Sequence, residues 1–331
     1  MKLLRLSLEN FRGAPNGSWA FTAPGSAAPF DAVYVTGPAA CGKTSFLEAI
    51  AALKESVGAY GAPPNGAALR RRGAKSGRVE GTWLLSPDEM ARADAAQAEW
   101  TTALDLGDDV VAAPAAAGLR ALFEGYDHDP ARGKVEYFPA NRCLSRGLGM
   151  APVELEAEAR LRLAADPDKY ASIHRALVDL ALGDGLKAVE EAMARGVILR
   201  HEQRDSLAAY RRDLAELAPG IRLGGVRRDG EEAVLGFLRA DGVELGVDDL
   251  SESERQALLF CATFRRVGLS RSIVLVDTPE LHVHADAQVR FVQAIGRLGV
   301  DNQIFYATGS SEIAAAAPSR QIVDLGKAGR R

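Results

Sequence analysis

Apolar and polar positions alternate at the start of the chain, where Leu4, Leu6 and Leu8 are separated by polar residues. That period of two predicts a half-buried strand, with Ser18–Thr22 as its hairpin partner. Asp31–Thr36 reads as a short buried strand, and Ser45–Leu53 has the apolar spacing of a helix. The Pro- and Gly-rich stretch Gly61–Gly66 is a loop by composition. Arg78–Leu85 and Lys134–Phe138 read as strands, the second ended by Pro139–Arg142, and the Ala- and Asp-rich residues 86–124 read mostly as helix or loop. Residues 152–218 are rich in Ala, Leu, Glu and Arg, which favour helix. Pro167, the Gly183–Gly185 break and Pro219 divide them into about three short helices, with no sustained heptad. Residues 221–247 predict β-hairpins, with Asp229-Gly230 and Asp241-Gly242 as turns. A helix from about Ser253 to Val267 follows. Ser272–Asp277 is apolar on both faces, as in a parallel strand covered by helices. A helix near 286–298, a strand over Gln303–Thr308 and a last strand over Ile322–Leu325 complete the pattern, with no internal repeat.

Composition narrows the class. A length of 331 residues allows one large domain or two smaller ones. A hydrophobic content of 47% suffices for a real core, and a formal charge of −4 excludes a generally basic nucleic-acid coat. Three scattered cysteines, Cys41, Cys143 and Cys261, suggest a reducing compartment without a disulfide framework. Charge interrupts the first ten residues too early for a signal peptide. No apolar run reaches the ~20 residues that span a bilayer. The expectation is a soluble cytoplasmic protein that makes no membrane contact.

The chemistry is concentrated in Gly37-Pro38-Ala39-Ala40-Cys41-Gly42-Lys43-Thr44-Ser45. Two glycines flank four residues and are followed by Lys and Thr, which is the phosphate-loop pattern, here set between a strand and a helix. Backbone N–H groups at such a helix start bind phosphate oxygens. Lys43 would reach the terminal phosphates and Thr44 a magnesium ion. Cys41 is either a redox switch or a small residue at a tolerant loop position, and the second reading is preferred. A carboxylate ending a buried strand is the other part such a loop needs, and Asp277 is the candidate second magnesium contact. Ser251 with Glu254 three residues on forms a capping-box signature. The helix start it predicts would also suit a γ-phosphate.

Together these residues resemble a known family. Leu8-Glu9-Asn10-Phe11-Arg12-Gly13, the phosphate loop, Leu250-Ser251-Glu252-Ser253-Glu254 and Asp277-Thr278-Pro279-Glu280-Leu281-His282-Val283-His284 occur in the order of an ABC-type AAA ATPase of the OLD/RecF/SMC-like group. Tyr137–Arg142 also resembles a segment of that group. The resemblance covers roughly residues 1–55 and 245–325. It implies an α/β P-loop NTPase, an ABC-type head with a mixed central sheet, an N-terminal antiparallel sheet and a helical insertion. That head would be one composite domain: a lobe over 1–150 with the loop, the insertion over 151–219, and a lobe over 220–331 with the signature segment and the Asp277 strand. No long coiled coil or fused nuclease is expected. The implied cofactors are ATP and Mg2+. The implied assembly is a head-to-tail homodimer in which Ser251, Ser253 and Glu254 of one subunit meet the nucleotide of the other.

Three departures from the family pattern bear on activity. Thr278 stands where the family has the Glu that activates water, Gly309 where it has a switch His, and Ser253 where Gly is common. Glu280 is the candidate substitute base, although the family often carries a Glu there as well. The reading is an ATP-gated switch with slow hydrolysis, acting with a partner protein in nucleic-acid metabolism or phage defence. The alternatives are a fully active ATPase using Glu280, a transporter's nucleotide subunit, or a structural member of a larger complex. His282 and His284 would share a face of a strand, but no third ligand lies nearby, so a subunit contact is preferred over zinc. The basic run Arg70, Arg71, Arg72, Lys75 and Arg78 is a candidate nucleic-acid contact, balanced by the acidic stretch Asp105–Asp109. The 152–218 helices read as a lid, with an effector-docking surface as the alternative.

Overall fold

The computed structural model describes residues 1–61, 63, 65–107, 110–112, 115–144, 159–183, 205–229 and 232–328. The strands in chain order are β1 (Lys2–Glu9), β2 (Gly17–Ala20), β3 (Ala32–Thr36), β4 (Arg78–Leu84), β5 (Glu99–Leu106), β6 (Val110–Ala112), β7 (Val135–Phe138), β8 (Ile221–Asp229), β9 (Glu232–Arg239), β10 (Glu244–Leu245), β11 (Ile273–Asp277), β12 (Gln303–Ala307) and β13 (Ile322–Asp324). The principal helices are α1 (Lys43–Val57), α2 (Pro87–Ala93), α3 (Ala117–Glu124), α4 (Ala208–Leu217), α5 (Glu252–Val267) and α6 (Ala285–Gly296).

Two compact units divide the chain. The first combines Met1–Asn141, Leu155–Ala165 and Val267–Arg331, and the second Arg142–Glu154 and Asp166–Arg266. The first unit holds two five-stranded sheets. One is antiparallel, in the order β2-β1-β4-β5-β6, and the other has the order β13-β3-β12-β11-β7. Every pair in the second sheet is parallel. The N-terminal antiparallel sheet expected from the sequence is present, and the central sheet, expected to be mixed, is parallel throughout. β11 and β12 are buried at every position because strands flank them on both sides and helices cover both faces. All five parallel strands end on the same edge, which brings the residues after Thr36, Asp277 and Ala307 together.

α1 packs between the sheets and is apolar around most of its circumference for that reason. Phe46, Leu47, Ile50 and Leu53 are fully buried. Phe46 meets Trp19 edge-on with ring centroids 5.1 Å apart, and Phe21 bridges to Phe305 of β12 at 5.0 Å.

The expected first hairpin is present, with Leu6 opposite Trp19. Residues 86–124, expected to be mostly helix or loop, also hold the strands β5 and β6, which extend the antiparallel sheet between α2 and α3. α2 opens on a capping box of Ser86 and Glu89. In β5, Thr102, Leu104 and Leu106 are buried on one face.

The second unit contains the antiparallel sheet β10-β9-β8. The Asp241-Gly242 turn is as predicted, with Gly242 at φ 89° and the Asp241 carboxylate accepting from the Val243 N–H at 3.1 Å. The Asp229-Gly230 turn lies partly outside the described residues, as do Asp108, Asp109 and the Gly183–Gly185 break from residue 184 onward. Of the expected insertion, the described parts are a 3-10 turn over Pro167–Tyr170, helical turns at 173–183, and α4. Asp213 of α4 accepts a forked pair from Arg265 of α5, the longer bond being 2.7 Å. No described helix is long and apolar enough to cross a membrane.

Candidate functional site

The loop between β3 and α1 is shaped by its glycines. Gly37 has φ 139° and Gly42 φ 93°, conformations that L side chains rarely adopt. A Cβ at Gly42 would lie 2.4 Å from the Gly13 carbonyl oxygen, and one at Gly37 would lie 2.7 Å from Cys41 Sγ. The loop is therefore closed against the Gly13–Ala14 backbone on one side and folded on itself at Cys41. Arg71 holds that backbone from behind. Its Nε donates to the Arg12 carbonyl at 3.1 Å and its Nη2 to the Ala14 carbonyl. Arg12 pairs with Glu48 of α1 at 2.6 Å. Gly42 caps α1 without a side-chain hydrogen bond, and no acidic residue occupies the first turn. The amides and positive dipole end of α1 are left available to an anion. Lys43 Nζ donates across the loop to the carbonyls of Gly37 (2.9 Å) and Pro38 (3.0 Å).

Asp277 ends β11 and is buried. Its Oδ2 accepts from Thr44 Oγ1 at 2.7 Å. Two oxygens, one from the loop helix and one from a carboxylate, suit a hard cation such as Mg2+. Tyr137 Oη also donates to Asp277 Oδ2, at 3.5 Å. Burial, and after it the Asp277 charge, raises the Tyr137 phenol well above its ordinary pKa, so it remains a donor.

Thr278 lies at φ 51°, a strained value for a β-branched residue. Its N–H donates to the Ala307 carbonyl at 2.8 Å, and its hydroxyl to Asp277 Oδ1 at 3.3 Å. Glu280 is tied to the loop after β12. Its Oε2 accepts from the Thr308 hydroxyl at 2.9 Å and its Oε1 from the Gly309 N–H at 2.8 Å. Both oxygens of the candidate base are thus engaged with the segment that carries Gly309. His282 and His284 do not share a strand face. His282 is in a turn at φ 62°, and His284 caps α6, accepting from the Asp286 N–H at 3.4 Å. No group of three metal-ligating side chains occurs among the described residues.

In the second unit the Ser251 segment forms the predicted capping box. The Ser251 N–H donates to Glu254 Oε2 at 2.7 Å and Ser251 Oγ accepts from the Glu254 N–H at 3.4 Å. Ser253 Oγ is 3.2 Å from Ser251 Oγ. Arg255 anchors the helix start from its buried side, donating to the carbonyls of Val247 (3.3 Å) and Asp248 (2.7 Å).

The basic run does not present five equivalent cations. Arg71 is turned inward onto the loop-backing carbonyls. Arg78 pairs with Asp105 at 2.6 Å and Glu80 at 2.9 Å. Arg70 donates to the Lys75 carbonyl at 3.2 Å, while Arg72 and Lys75 are exposed. The supporting role of Arg71 escaped the sequence reading because only its distance in space from Gly42, and no spacing along the chain, reveals it. Tyr137 was read as part of a strand and a family segment; its hydroxyl's approach to Asp277 depends on β7 lying beside β11.

Residues 155–315 match the family described as "AAA domain, putative AbiEii toxin, Type IV TA system". No curated protein gives a significant match. Among solved structures, an SMC head bound to the C-terminal winged-helix domain of ScpA is similar. It shares 16% identity at a TM-score of 0.55, covering 98% of this chain and 94% of that one. An SMC head with an extended coiled coil, bound to the C-terminal domain of ScpA derived from Pyrococcus furiosus, shares 13% identity at 0.51, covering 97% and 92%. At these identities the likeness speaks for the fold, and the matched segment for the domain type, which implies use of a nucleotide and usually Mg2+. With the phosphate-loop motif and the Asp277 strand in place, the chain has the α/β fold of SMC head domains and carries a segment that matches the AAA family model.

Proposed function

We propose that the chain is an ATP-binding switch of the OLD-like kind that closes as a head-to-tail homodimer and hydrolyses its nucleotide slowly. The amides of Gly37, Pro38, Ala39, Ala40, Cys41, Gly42, Lys43, Thr44 and Ser45 would wrap the phosphates. Lys43 would turn from the Gly37 and Pro38 carbonyls to the terminal phosphates. Thr44 and Asp277 would hold Mg2+, which when bound neutralises phosphate charge. Ser251, Ser253 and Glu254 would face the nucleotide of the second subunit. The observation that carries the reading is the 2.7 Å contact between Thr44 Oγ1 and Asp277 Oδ2, which joins two motifs far apart in sequence.

Slow hydrolysis is supported by the residues around Asp277. Thr278 has no carboxylate to take a proton from water. Glu280 is held by Thr308 and Gly309, and Gly309 has no imidazole. Lack of a positioned base typically costs ~10²–10⁴ in rate. The fully active alternative requires Glu280 to take the proton through an acceptor position left beside its bonds to Thr308 and Gly309. A partner protein in trans fits the solved SMC heads, which are bound to ScpA domains. A role in defence fits the toxin–antitoxin description of the matched family. Arg72 and Lys75 remain the candidate nucleic-acid contacts, and a cytoplasmic setting fits this role.

Phosphate release by the purified protein, with Lys43→Ala as the blank, tests the proposal. Turnover in the lower part of the usual enzyme range of about 1–10³ s⁻¹ or beneath it is expected. Rapid hydrolysis that depends on Lys43 would refute the slow-turnover claim.

A further inference from the structure

A cavity of about 780 Å³ opens in the first unit, lined among others by Asn16 and Trp19, Thr36 of β3, and Asp324 and Lys327 at the end of β13 and just after it. Its volume is that of a small-molecule site. It adjoins the phosphate loop on two counts. Thr36 directly precedes Gly37, and the turn after β13 abuts the loop backbone. A Cβ at Gly37 would be 3.1 Å from the Gly326 nitrogen, and one at Gly326 would be 3.0 Å from Pro38 Cδ. The cavity therefore begins where the phosphate cradle ends.

Two side chains give it chemistry. Trp19 is partly buried and fixed by its edge-on contact with Phe46. Asp324 is 32% exposed; its Oδ1 accepts from the Gly326 N–H at 3.0 Å and its Oδ2 faces Lys327 Nζ at 3.2 Å. A carboxylate offers about four acceptor positions, so two remain. We propose that the turn after β13 reads the nucleobase: Asp324 accepts a hydrogen bond from the exocyclic amine of an adenine that packs on the Trp19 indole. The same carboxylate repels the carbonyl oxygen that replaces this amine in hypoxanthine. The inference rests on the nucleotide-binding reading, because the phosphates must sit in the adjoining loop for the base to enter this cavity.

Calorimetric titration with ATP, GTP, inosine triphosphate and inorganic tripolyphosphate tests it, using the wild type, Trp19→Ala, Trp19→Phe, Asp324→Ala and Lys43→Ala. Unfolding midpoints serve as the check on folding. Base–aromatic stacking is worth a loss of roughly 5- to 150-fold in ATP affinity for Trp19→Ala. Trp19→Phe should retain most of that affinity, and tripolyphosphate binding should not change. The wild type should prefer ATP over inosine triphosphate by roughly tenfold, and Asp324→Ala should remove the preference. Equal binding of ATP and inosine triphosphate by the wild type, a preference for GTP, or variants that bind ATP unchanged while Lys43→Ala does not, would overturn the base-reading proposal alone. Absence of any binding of ATP and tripolyphosphate would overturn the nucleotide reading together with it.

Discussion

At the scale of single residues, the departures from the family pattern have definite surroundings. Thr278 sits in a left-handed conformation that an unbranched side chain tolerates better. A Cβ at Gly309 would meet nothing closer than Glu280 Oε1 at 3.6 Å. Both positions can therefore accept the groups they lack. The double substitution Thr278→Glu with Gly309→His is expected to raise phosphate release by ~10²-fold or more; an unchanged rate would show that something other than the missing base limits turnover. Lys54 gives a second prediction. It is fully buried in α1, pairs with Glu55 at 2.8 Å and lies 2.8 Å from the centroid of the Tyr60 ring. Desolvation lowers its pKa to about 7, with Glu55 opposing the shift. Between pH 7 and about 10 the unfolded chain keeps this proton while the folded one releases it. Stability therefore rises with pH across that window. The slope is up to about 1.4 kcal/mol per pH unit. Urea unfolding of the wild type and Lys54→Met at pH 6, 7, 8 and 9 should show the wild type gaining on the variant above pH 7.

At the scale of elements, α1 links the antiparallel and parallel sheets, and Phe46 is its aromatic hinge point between Trp19 and Phe21. Phe46→Ala should cost about 3–5 kcal/mol, read as a lowered denaturation midpoint. Loss of nucleotide binding in parallel is expected, because α1 carries Thr44. This helix and the strands before and after it were legible in the sequence, since period and glycine placement agree there. β5 was less legible. Its buried Thr102, Leu104 and Leu106 alternate as a strand requires, yet the surrounding Ala and Asp dilute the signal. The all-parallel pairing of the central sheet was also not readable, because partner choice between strands is decided by side-chain packing across long sequence distances. The histidine pair misled for a related reason: its spacing fits a strand, but Pro279 and the backbone bend at His282 turn the segment into a loop and a helix cap.

At the scale of the whole molecule, the nucleotide pattern was readable because its motifs are compact, whereas the engagement of Glu280 was not. The latter depends on the loop after β12 approaching the turn after β11. Dimer closure follows from the proposed function. With Mg2+ and ATP, light scattering of the wild type should show mass doubling from 35.2 kDa. Ser251→Arg should stay monomeric while still binding ATP, and doubling by that variant would remove Ser251 from the contact. Assembly of the sheet itself has a further consequence. The strand that leads into the phosphate loop is flanked by β12 and β13, so Tyr34 acquires its neighbours Tyr306 and Ile322 only when these two late strands have left the ribosome. Until then the loop's supporting strand has no lateral partner from that sheet, and a nascent chain cannot grip ATP in the finished geometry. Ligand capture in that geometry is therefore confined to chains whose synthesis has passed β13.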